Sequence, residues 1–235
     1  MDIKQELLQP EDIYRIDNLT AISRPEERYS LREHRIQPVL DDTPLPPLSC
    51  TPELLSELIL GHLVSEGFVE NKGALTALTL GEDNAVARCT TGQPGAPRRT
   101  ADTVPAIREY RGAPHWLHYF ALEPRPMPDT LQRGMLMRQG EILYRCFDLC
   151  TASAAEKAIG CGLRDGVPLE DTILYCDGAL TEALVSKVIL AGIPVLCGSG
   201  IPTDRAVALA RKHHISLVGT VRKDGIDLFS DRYLW

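Results

Sequence analysis

The amino-acid sequence predicts an α/β fold. From residue 131 onward, short apolar runs alternate with longer stretches of helical character. Such alternation is typical of a mostly parallel sheet with helices packed on it. The runs TILY and IPVL are apolar throughout, as expected of strands that are covered on both faces. Aromatic residues make up only 6% of the chain, so we expect a core of Leu, Val, Ile and Ala side chains.

Residues 1–89 predict a smaller N-terminal α+β lobe. Residues 1–30 are polar and weakly periodic, which predicts an arm or a short helix available for dimer contacts. A strand is expected in EHRIQPVLDD. The segment TPELLSELILGHLVSEGFV predicts a helix with Thr51 as N-cap, Pro52 at its first position and Gly67 at its C-terminal stop. ALTALTLGEDNAVARC predicts a β-hairpin that turns at GEDN.

The rest of the chain divides into a connection and a larger lobe. Residues 90–130 are rich in Pro, Gly and Arg, which indicates a long connection whose arginines are solvated. Residues 131–235 predict three strand–helix units and a last strand. The strands are expected in GEILYRCFDL, DTILYCDG, IPVLCGSG and ISLVGTVR, and the helices in TASAAEKAIGCGLRDG, TEALVSKVILAG and TDRAVALARKHH.

Composition excludes several broad classes of protein. The net charge of −7 argues against a general nucleic-acid binder, which would carry a basic stripe. No apolar stretch approaches the ~18 residues of a membrane span, and MDIKQELLQPEDIYRID lacks the features of a signal peptide. We therefore expect a cytoplasmic protein without nucleic-acid or membrane partners. Seven cysteines without a CxxC argue against a disulfide framework.

Three loops are predicted at the edge of the sheet where such folds bind ligands. Residues 150–153, 177–181 and 198–203 each follow a predicted strand and lead into a helix. Helix N-termini carry unpaired N–H groups and a partial positive charge, so together the loops predict a cradle for an anion such as phosphate. The alternative is that Ser153, Thr181 and Thr203 only cap their helices.

The cysteines near this edge leave three interpretations open. Cys150, Cys176 and Cys197 each fall at the predicted end of a strand. A thiol at a helix N-terminus has a depressed pKa and becomes nucleophilic, which singles out Cys150. The other interpretations are buried structural cysteines and a metal site. The spacing does not demand the four convergent ligands of a metal site, so we assign no metal ligands.

Two blocks of the sequence resemble a known family. TPELLSELILGHLVSEGFV is similar to a TP…L..GFL.SEGII block, and DLCTASAAEKAIG is similar to DVGRHNAxDKxIG. Further along, AGIPVLCGSGIPTDRAVALA resembles GIPVLxSxSAPTxLAVxLA, and ISLVGTVR resembles TLVGFVR. These patterns belong to the formate dehydrogenase accessory sulfurtransferases, the FdhD/NarQ family.

The resemblance implies a fold, a ligand and partners. It implies a cytidine-deaminase-like, three-layer α/β/α main lobe and a homodimer that transfers sulfur to the molybdenum cofactor of formate dehydrogenase. The implied cofactor is molybdopterin guanine dinucleotide or a guanine nucleotide, and the implied partners are a molybdoenzyme subunit and a cysteine desulfurase. The residues expected to contact the cofactor are Cys150, Thr151, Ser153, Asp177, Gly178, Thr181, Gly198, Ser199, Gly200, Pro202, Thr203 and Arg222.

The sequence departs from the family pattern at its decisive places. The family's CxxC loop becomes CTTGQPGAP, in which only Cys89 remains as a thiol. Its GRHN becomes residues 150–153, CTAS, and its SGRxS becomes residues 177–181, DGALT, so that two phosphate-binding arginines are lost. The resemblance therefore implies a degenerate site with Cys89 and Cys150 as the catalytic candidates. Three functions stay open: cofactor-binding maturation factor, single-thiol sulfur carrier and non-catalytic partner-binding protein.

Overall fold

The structure, a computed structural model, describes residues 7–92, 99–103, 130–222 and 225–231. It confirms the α/β class. The strands and helices of the N-terminal part are β1 (Leu8–Ile16), β2 (Ser23–Leu31), β3 (His34–Leu40), β4 (Thr43–Pro44), β5 (Leu48–Cys50), α1 (Leu55–Ser65), β6 (Leu75–Leu80) and β7 (Val86–Thr91). Those of the C-terminal part are β8 (Gln132–Arg138), β9 (Glu141–Asp148), α2 (Thr151–Arg164), β10 (Thr172–Cys176), α3 (Glu182–Ala191), β11 (Val195–Gly198), α4 (Asp204–Lys212), β12 (Ser216–Arg222) and β13 (Gly225–Ser230).

The C-terminal lobe is built on a six-stranded mixed sheet. Its strands run in the order β13-β12-β11-β10-β8-β9. The three central strands β10, β11 and β12 are parallel, as the alternating pattern predicts, whereas β8, β9 and β13 pair antiparallel. The sequence pattern did not indicate β8 or β13. Gln139 and Gly140 join β8 to β9 with positive φ angles of 52° and 86°, the conformation of a two-residue hairpin turn.

The helices α2, α3 and α4 lie on one face of this sheet. Helix α2 returns from β9 past β8 to β10, α3 connects β10 to β11, and α4 connects β11 to β12. All three connections join strands of one orientation and run in the same direction across the sheet, so right-handed crossovers place the helices on the same face. Their apolar side chains form one core with Leu174 and Leu196 of the strands. Met135, Ile173 and Val218 form a second core on the opposite face. None of the described helices covers that face, so the three-layer, cytidine-deaminase-like arrangement stays a prediction.

The N-terminal lobe packs its helix against the C-terminal lobe. Its sheet has the order β4-β3-β7-β6, with β5 pairing to β3, and the predicted hairpin of β6 and β7 is confirmed. Helix α1 begins later than predicted. Thr51 is not its N-cap, because Leu54 occupies that position with a φ of 54° and no side-chain cap. Gly67, with a φ of 73°, follows the last helical turn and confirms the predicted stop.

Helices α1 and α2 cross with their backbones in contact. A Cβ atom added at Gly61 would lie 1.9 Å from the carbonyl oxygen of Glu156. One added at Gly160 would lie 1.8 Å from the carbonyl oxygen of Glu57. Both distances are impossible for real side chains, so glycine is required at each position. The two lobes therefore meet at a close helix crossing.

Residues 8–31 form a separate β-hairpin rather than a short helix. Strands β1 and β2 pair antiparallel over their whole length as a two-stranded sheet. The prediction of an arm fits this hairpin, and the helical alternative is wrong. Alternation of side chains along the strands gives the hairpin two different faces. One face carries Pro10, Tyr14, Ile16, Pro25 and Tyr29 together with Asp12 and Glu27, and the other carries the ion pairs of Glu26 with three arginines.

Most of the predicted connection, residues 90–130, lies outside the described residues, and the structure does not test the domain boundaries. None of the described helices is long and apolar enough to span a membrane.

Candidate functional site

The three predicted loops meet at one edge of the C-terminal sheet. The hydroxyl of Thr151 donates to the backbone oxygen of Asp177 at 3.2 Å. The backbone N–H of Gly178 donates to Ser199 Oγ, also at 3.2 Å. We call residues 150–153, 177–181 and 198–203 the three-loop edge. Each loop thus contacts its neighbour, so the ligand-binding candidates of the sequence form one continuous surface.

Glycine backbones form the tightest part of the three-loop edge. Gly178 has a φ of 78°, which favours glycine. A Cβ at Gly200 would lie 2.2 Å from the oxygen of Gly178, and one at Gly198 would lie 2.6 Å from the oxygen of Cys176. Pro202 is buried and forms an isolated bridge with the backbone of Leu180. These four predicted site residues therefore also serve the packing of the loops.

Two of the three predicted helix caps are present. Thr181 Oγ1 accepts from the N–H of Leu184 at 3.4 Å, and Thr203 Oγ1 accepts from the N–H of Ala206 at 3.2 Å. Ser153 is not a cap. Cys150 is the N-cap of α2 instead, and its Sγ accepts from the N–H of Ser153 at 3.4 Å. A thiol thus takes the place that Ser, Thr, Asp or Asn normally fills.

Cys150 is the one thiol placed for chemistry at this edge. It is exposed, whereas the other six cysteines of the chain are buried. Its sulfur also lies 3.2 Å from Ser153 Oγ. Helix α2 has no acidic residue in its first turn, whereas α3 and α4 begin with Glu182 and Asp204. The first turn of α2 therefore carries no carboxylate, and its N–H groups and partial positive charge favour an anion at this edge.

Cys89 lies far from this environment. It sits in β7 within the core of the N-terminal lobe, with 2% of its surface exposed. Burial, together with the nearby Asp41 carboxylate, raises the pKa of the Cys89 thiol to about 11. A buried protonated thiol suits core packing better than sulfur transfer.

The remaining cysteines of the predicted edge do not converge with Cys150. Cys176 belongs to the core on the helical face of the sheet, and Cys197 belongs to the core on the opposite face. Burial raises the pKa of both thiols. Among the described residues, no group of three or more His, Cys, Asp or Glu side chains is arranged to hold a metal ion.

Arg133 is a residue of this edge that the sequence pattern missed. Its Nε and Nη2 donate to the two oxygens of Asp177 at 3.0 Å each, and its backbone N–H donates to Asp177 Oδ2 at 3.2 Å. Both side chains are buried, and the guanidinium carbon lies 5.4 Å from the centre of the Tyr175 ring. Burial, then the charge of Asp177, raises the pKa of Tyr175 to about 12. The Asp177 carboxylate, predicted to contact the cofactor, is thus held by Arg133.

Arg222, the last predicted site residue, ends strand β12. Its side chain lies outside the described part of the structure.

A buried ion pair anchors the segment that leads into Cys150. Lys157 Nζ lies 2.6 Å from Asp148 Oδ2, and neither side chain is exposed. Lys157 also donates to Thr51 Oγ1 at 2.7 Å, and the N–H of Thr51 donates to Asp148 Oδ1 at 3.1 Å. Burial raises the pKa of Asp148, and the charge of Lys157 opposes that change. This network explains why Thr51 does not cap α1.

A second buried ionic group joins the two lobes. Glu156 lies 2.9 Å from His62 Nδ1 and 2.6 Å from Lys187 Nζ, and Lys187 also pairs with Glu66. Burial alone would raise the pKa of Glu156. The hydrogen bond from His62 and the charge of Lys187 outweigh burial, so the pKa of Glu156 is lowered. Lys157 and Lys187 are therefore explained by buried carboxylates rather than by a ligand.

Comparisons with known proteins agree with the resemblance seen in the sequence. The model of the FdhD/NarQ family matches residues 131–233. A Sulfur carrier protein FdhD of Saccharolobus solfataricus is 33% identical over 93 residues, which span 39% of this chain and 36% of that protein. The relative of the same name from Listeria monocytogenes is 21% identical, with 84% of this chain and 88% of that protein covered. Protein FdhD of Methanocaldococcus jannaschii is 23% identical, with 80% of this chain and 82% of that protein covered.

A solved structure supports the fold over nearly the whole chain. The crystal structure of a proposed formate dehydrogenase accessory protein from Desulfotalea psychrophila matches with a TM-score of 0.80. The match covers 97% of this chain and 98% of that chain at 18% sequence identity, which establishes the fold. The family model thus matches the C-terminal lobe, and the solved structure extends the similarity of fold over nearly the whole chain.

Proposed function

We propose that this protein is an accessory factor for formate dehydrogenase maturation that carries sulfur on Cys150. Two of the relatives above are named sulfur carriers. The observation that carries the proposal is the exposed thiol of Cys150, held at the unneutralised N-terminus of α2 and next to the two other loops of the edge. The thiol is therefore accessible to a donor protein, and its thiolate is the form that reacts.

The proposed chemistry is a thiol–persulfide exchange. The Cys150 thiolate attacks the outer sulfur of a persulfide on a donor such as a cysteine desulfurase. A new S–S bond forms at Cys150, the S–S bond of the donor breaks, and the donor leaves as a thiolate that takes up a proton. The incoming sulfur would stay at the three-loop edge, where Ser153 Oγ lies 3.2 Å from Cys150 Sγ.

We further propose that the three-loop edge binds a guanine nucleotide, the end group of molybdopterin guanine dinucleotide. The Ser199 hydroxyl and the backbone N–H groups at the start of α2 can donate here, whereas the Thr151 hydroxyl already donates to Asp177 and offers its oxygen as an acceptor. The hydroxyls suit the base and sugar of a nucleotide, and the N–H groups alone can bind phosphate weakly. Phosphate is bound less well, because the guanidinium of Arg133 is already held by Asp177. Each missing charge-assisted bond costs about 1.5–3 kcal/mol, so we propose that binding is weak.

Mass spectrometry tests the sulfur-carrier proposal. Purified protein is incubated with a cysteine desulfurase and free cysteine, and the persulfide is located by peptide mapping. We expect one added sulfur on Cys150 and none on Cys89, because the latter is buried. Loss of the adduct in Cys150→Ser and its retention in Cys89→Ser complete the test. An adduct that survives Cys150→Ser would refute the assignment.

Calorimetric titration with GDP tests the nucleotide proposal separately. We expect a dissociation constant in the millimolar range, which corresponds to about −4 kcal/mol. A Thr151→Val variant removes the hydroxyl that bridges to Asp177 and should weaken binding further. Absence of any heat change at millimolar GDP would remove the nucleotide part of the proposal without touching the sulfur part.

The N-terminal hairpin favours a second candidate function, partner binding, which includes homodimer formation. Tyr14, Ile16 and Tyr29 share one face of the hairpin and are 75%, 63% and 63% exposed. Asp12 and Glu27 lie on the same face, which is therefore only partly apolar. Isolated two-stranded sheets are marginally stable in water, so the exposed apolar side chains of this face gain from being covered. The candidate partners are a second copy of the chain or a molybdoenzyme subunit.

Light scattering after size exclusion distinguishes these partners. A dimer in the wild type that becomes a monomer in Tyr14→Ser/Ile16→Ser assigns the face to a second copy. Arg15→Ser on the charged face is the matched control, because Arg15 is also exposed. A monomeric wild type, or a dimer that survives the double substitution, would exclude the second copy as the partner of this face.

A further inference from the structure

A pair of cysteine thiols lies between strand β9 and helix α2. Cys146 in β9 and Cys161 in the third turn of α2 are fifteen residues apart, and their sulfur atoms lie 3.9 Å from each other. Both are free thiols, with 2% and 3% of their surface exposed. The fold therefore brings together two thiols that no sequence motif connects.

This thiol pair runs beside the buried ion pair described above. Cys161 lies one helical turn beyond Lys157, and Cys146 lies two residues before Asp148 on the same strand. The same strand and helix are thus linked twice, once by the Asp148–Lys157 contact at 2.6 Å and once by the two sulfur atoms. The ion pair fixes the register between strand and helix, so the thiols are held facing each other.

The local charges make the two thiols unequal. The hydrogen bond between the two sulfur atoms lowers the pKa of Cys161. Burial and the Glu57 carboxylate oppose this change, and the Arg164 guanidinium favours it. The same hydrogen bond, together with burial, raises the pKa of Cys146. Because Cys161 lies beside the Arg164 guanidinium, we take it as the thiol that reacts first, and Cys146 supplies the second sulfur.

We propose that Cys146 and Cys161 are a site of reversible disulfide formation, with hydrogen peroxide as the oxidant. The Cys161 thiolate attacks one peroxide oxygen, the O–O bond breaks, and the released hydroxide takes a proton to give water and a sulfenic acid. The sulfur of Cys146 then attacks the sulfenic sulfur. Its thiol proton and the displaced hydroxide form a second water, and the S–S bond closes. Two thiols are oxidised and one peroxide is reduced to two waters.

The proposed disulfide is independent of the sulfur-carrier function. It does not involve Cys150, which lies at the opposite end of α2, three helical turns away from Cys161. Its effect is to join β9 covalently to the helix whose first residue follows Cys150. A small oxidant suits the low exposure of both sulfurs, whereas a bulky thiol reagent should label Cys150 first.

Peptide mapping of the oxidised full chain tests this proposal. The reduced protein is treated with hydrogen peroxide, remaining thiols are blocked with N-ethylmaleimide, and the digest is searched for linked peptides. We expect a species lighter by two hydrogen atoms, a linked pair that contains Cys146 and Cys161, and reversal by dithiothreitol. Both thiols alkylated after peroxide treatment, or a disulfide between other cysteines, would overturn the proposal.

Three variants support the assignment. Cys150→Ser should still form the linked pair, because its thiol lies outside the pair. Cys161→Ser should abolish it, and Cys146→Ala serves the same purpose if the first variant folds poorly. The wild-type result decides the proposal by itself, so misfolding of either variant does not leave it open. A linked pair that disappears in Cys150→Ser would instead show that the exposed thiol is required and would refute the proposed route.

Discussion

The buried contact between Asp148 and Lys157 makes the sharpest prediction about stability. Replacement of Lys157 with Met removes the ammonium group and leaves the Asp148 carboxylate without its counter-charge. Both side chains are 0% exposed, so water cannot take over the role of the lysine. The substitution also removes the donor that satisfies Thr51 Oγ1 at 2.7 Å.

The expected cost follows from this burial. Breaking a buried ion pair by removal of one partner typically costs 3–5 kcal/mol, because a charge stays buried without compensation. We expect Lys157→Met to lower the free energy of unfolding by about 3–5 kcal/mol for this reason. Replacing both charges should cost less, since a buried pair and a well-packed neutral pair are often similar in stability. The double variant Asp148→Asn/Lys157→Met should therefore recover part of the loss.

Urea unfolding followed by circular dichroism measures these differences. The matched control is Lys212→Met, because Lys212 pairs with Asp102 on the surface, with side chains 58% and 67% exposed. Exposed pairs contribute about 0–1 kcal/mol, so the control should change little. If Lys157→Met and Lys212→Met cost the same, or if the double variant is less stable than Lys157→Met, the burial argument is wrong.

Three further predictions address the site, the helix crossing and pH. Ala179 lies at an exposed loop position where the family pattern has arginine. Ala179→Arg should tighten GDP binding about 10–100-fold in calorimetry, because a charge-assisted hydrogen bond contributes about 1.5–3 kcal/mol. Unchanged affinity would argue that the phosphate does not lie there. Gly160→Ala should lower the free energy of unfolding by at least about 1–3 kcal/mol, because the new Cβ clashes with the backbone of the facing helix. In the same denaturant assay, the control Gly225→Ala should change the free energy of unfolding by no more than about 0.5 kcal/mol, because a Cβ there meets no atom within 4 Å. The pKa of Glu156 is lowered from its ordinary value of 4.5, so this carboxylate stabilises the folded protein fully above pH 4.5, and the stabilisation is lost as the pH falls below that value. Glu156→Gln should flatten the dependence of the unfolding free energy on acid pH. An unchanged pH dependence would contradict the role of the ionic group.

The fold of the C-terminal lobe was predictable where burial is continuous. Strands β10 and β11 are buried on both faces, so each appears as an apolar run that alternates with an amphipathic helix. Strand β8 was missed because Arg133 interrupts its apolar pattern. The partner that allows this arginine to be buried, Asp177, lies 44 residues away, so no local pattern reveals the pair.

The predicted helix boundaries were wrong where residues distant in the sequence form hydrogen bonds with the expected capping residue. Thr51 followed by Pro52 has the pattern of a helix start, but Lys157 and Asp148 take the hydroxyl and the N–H of Thr51. At the start of α2, the known residue preferences for the N-cap position favour the hydroxyl of Ser153, whereas the thiol of Cys150 is the N-cap in the structure.

The grouping of the three candidate loops followed from topology, whereas the contacts of their side chains did not. Loops after parallel strands meet at one edge, and that rule correctly grouped residues 150–153, 177–181 and 198–203. Whether a side chain is free to meet a ligand depends on contacts across the sheet. Asp177 illustrates this limit, because only the three-dimensional structure shows that Arg133 holds its carboxylate.

The contact between Gly61 and Gly160 has a consequence for how the molecule opens. With backbone against backbone, no side chain is available to change rotamer and let α1 slide along α2. A small displacement of α1 relative to α2 would already break the contacts between the backbone carbonyl groups and the facing glycines. The two lobes should therefore open together rather than in turn. In native-state hydrogen exchange, we expect the amides of α1 and α2 to share one opening free energy, although the helices lie about ninety residues apart in the chain.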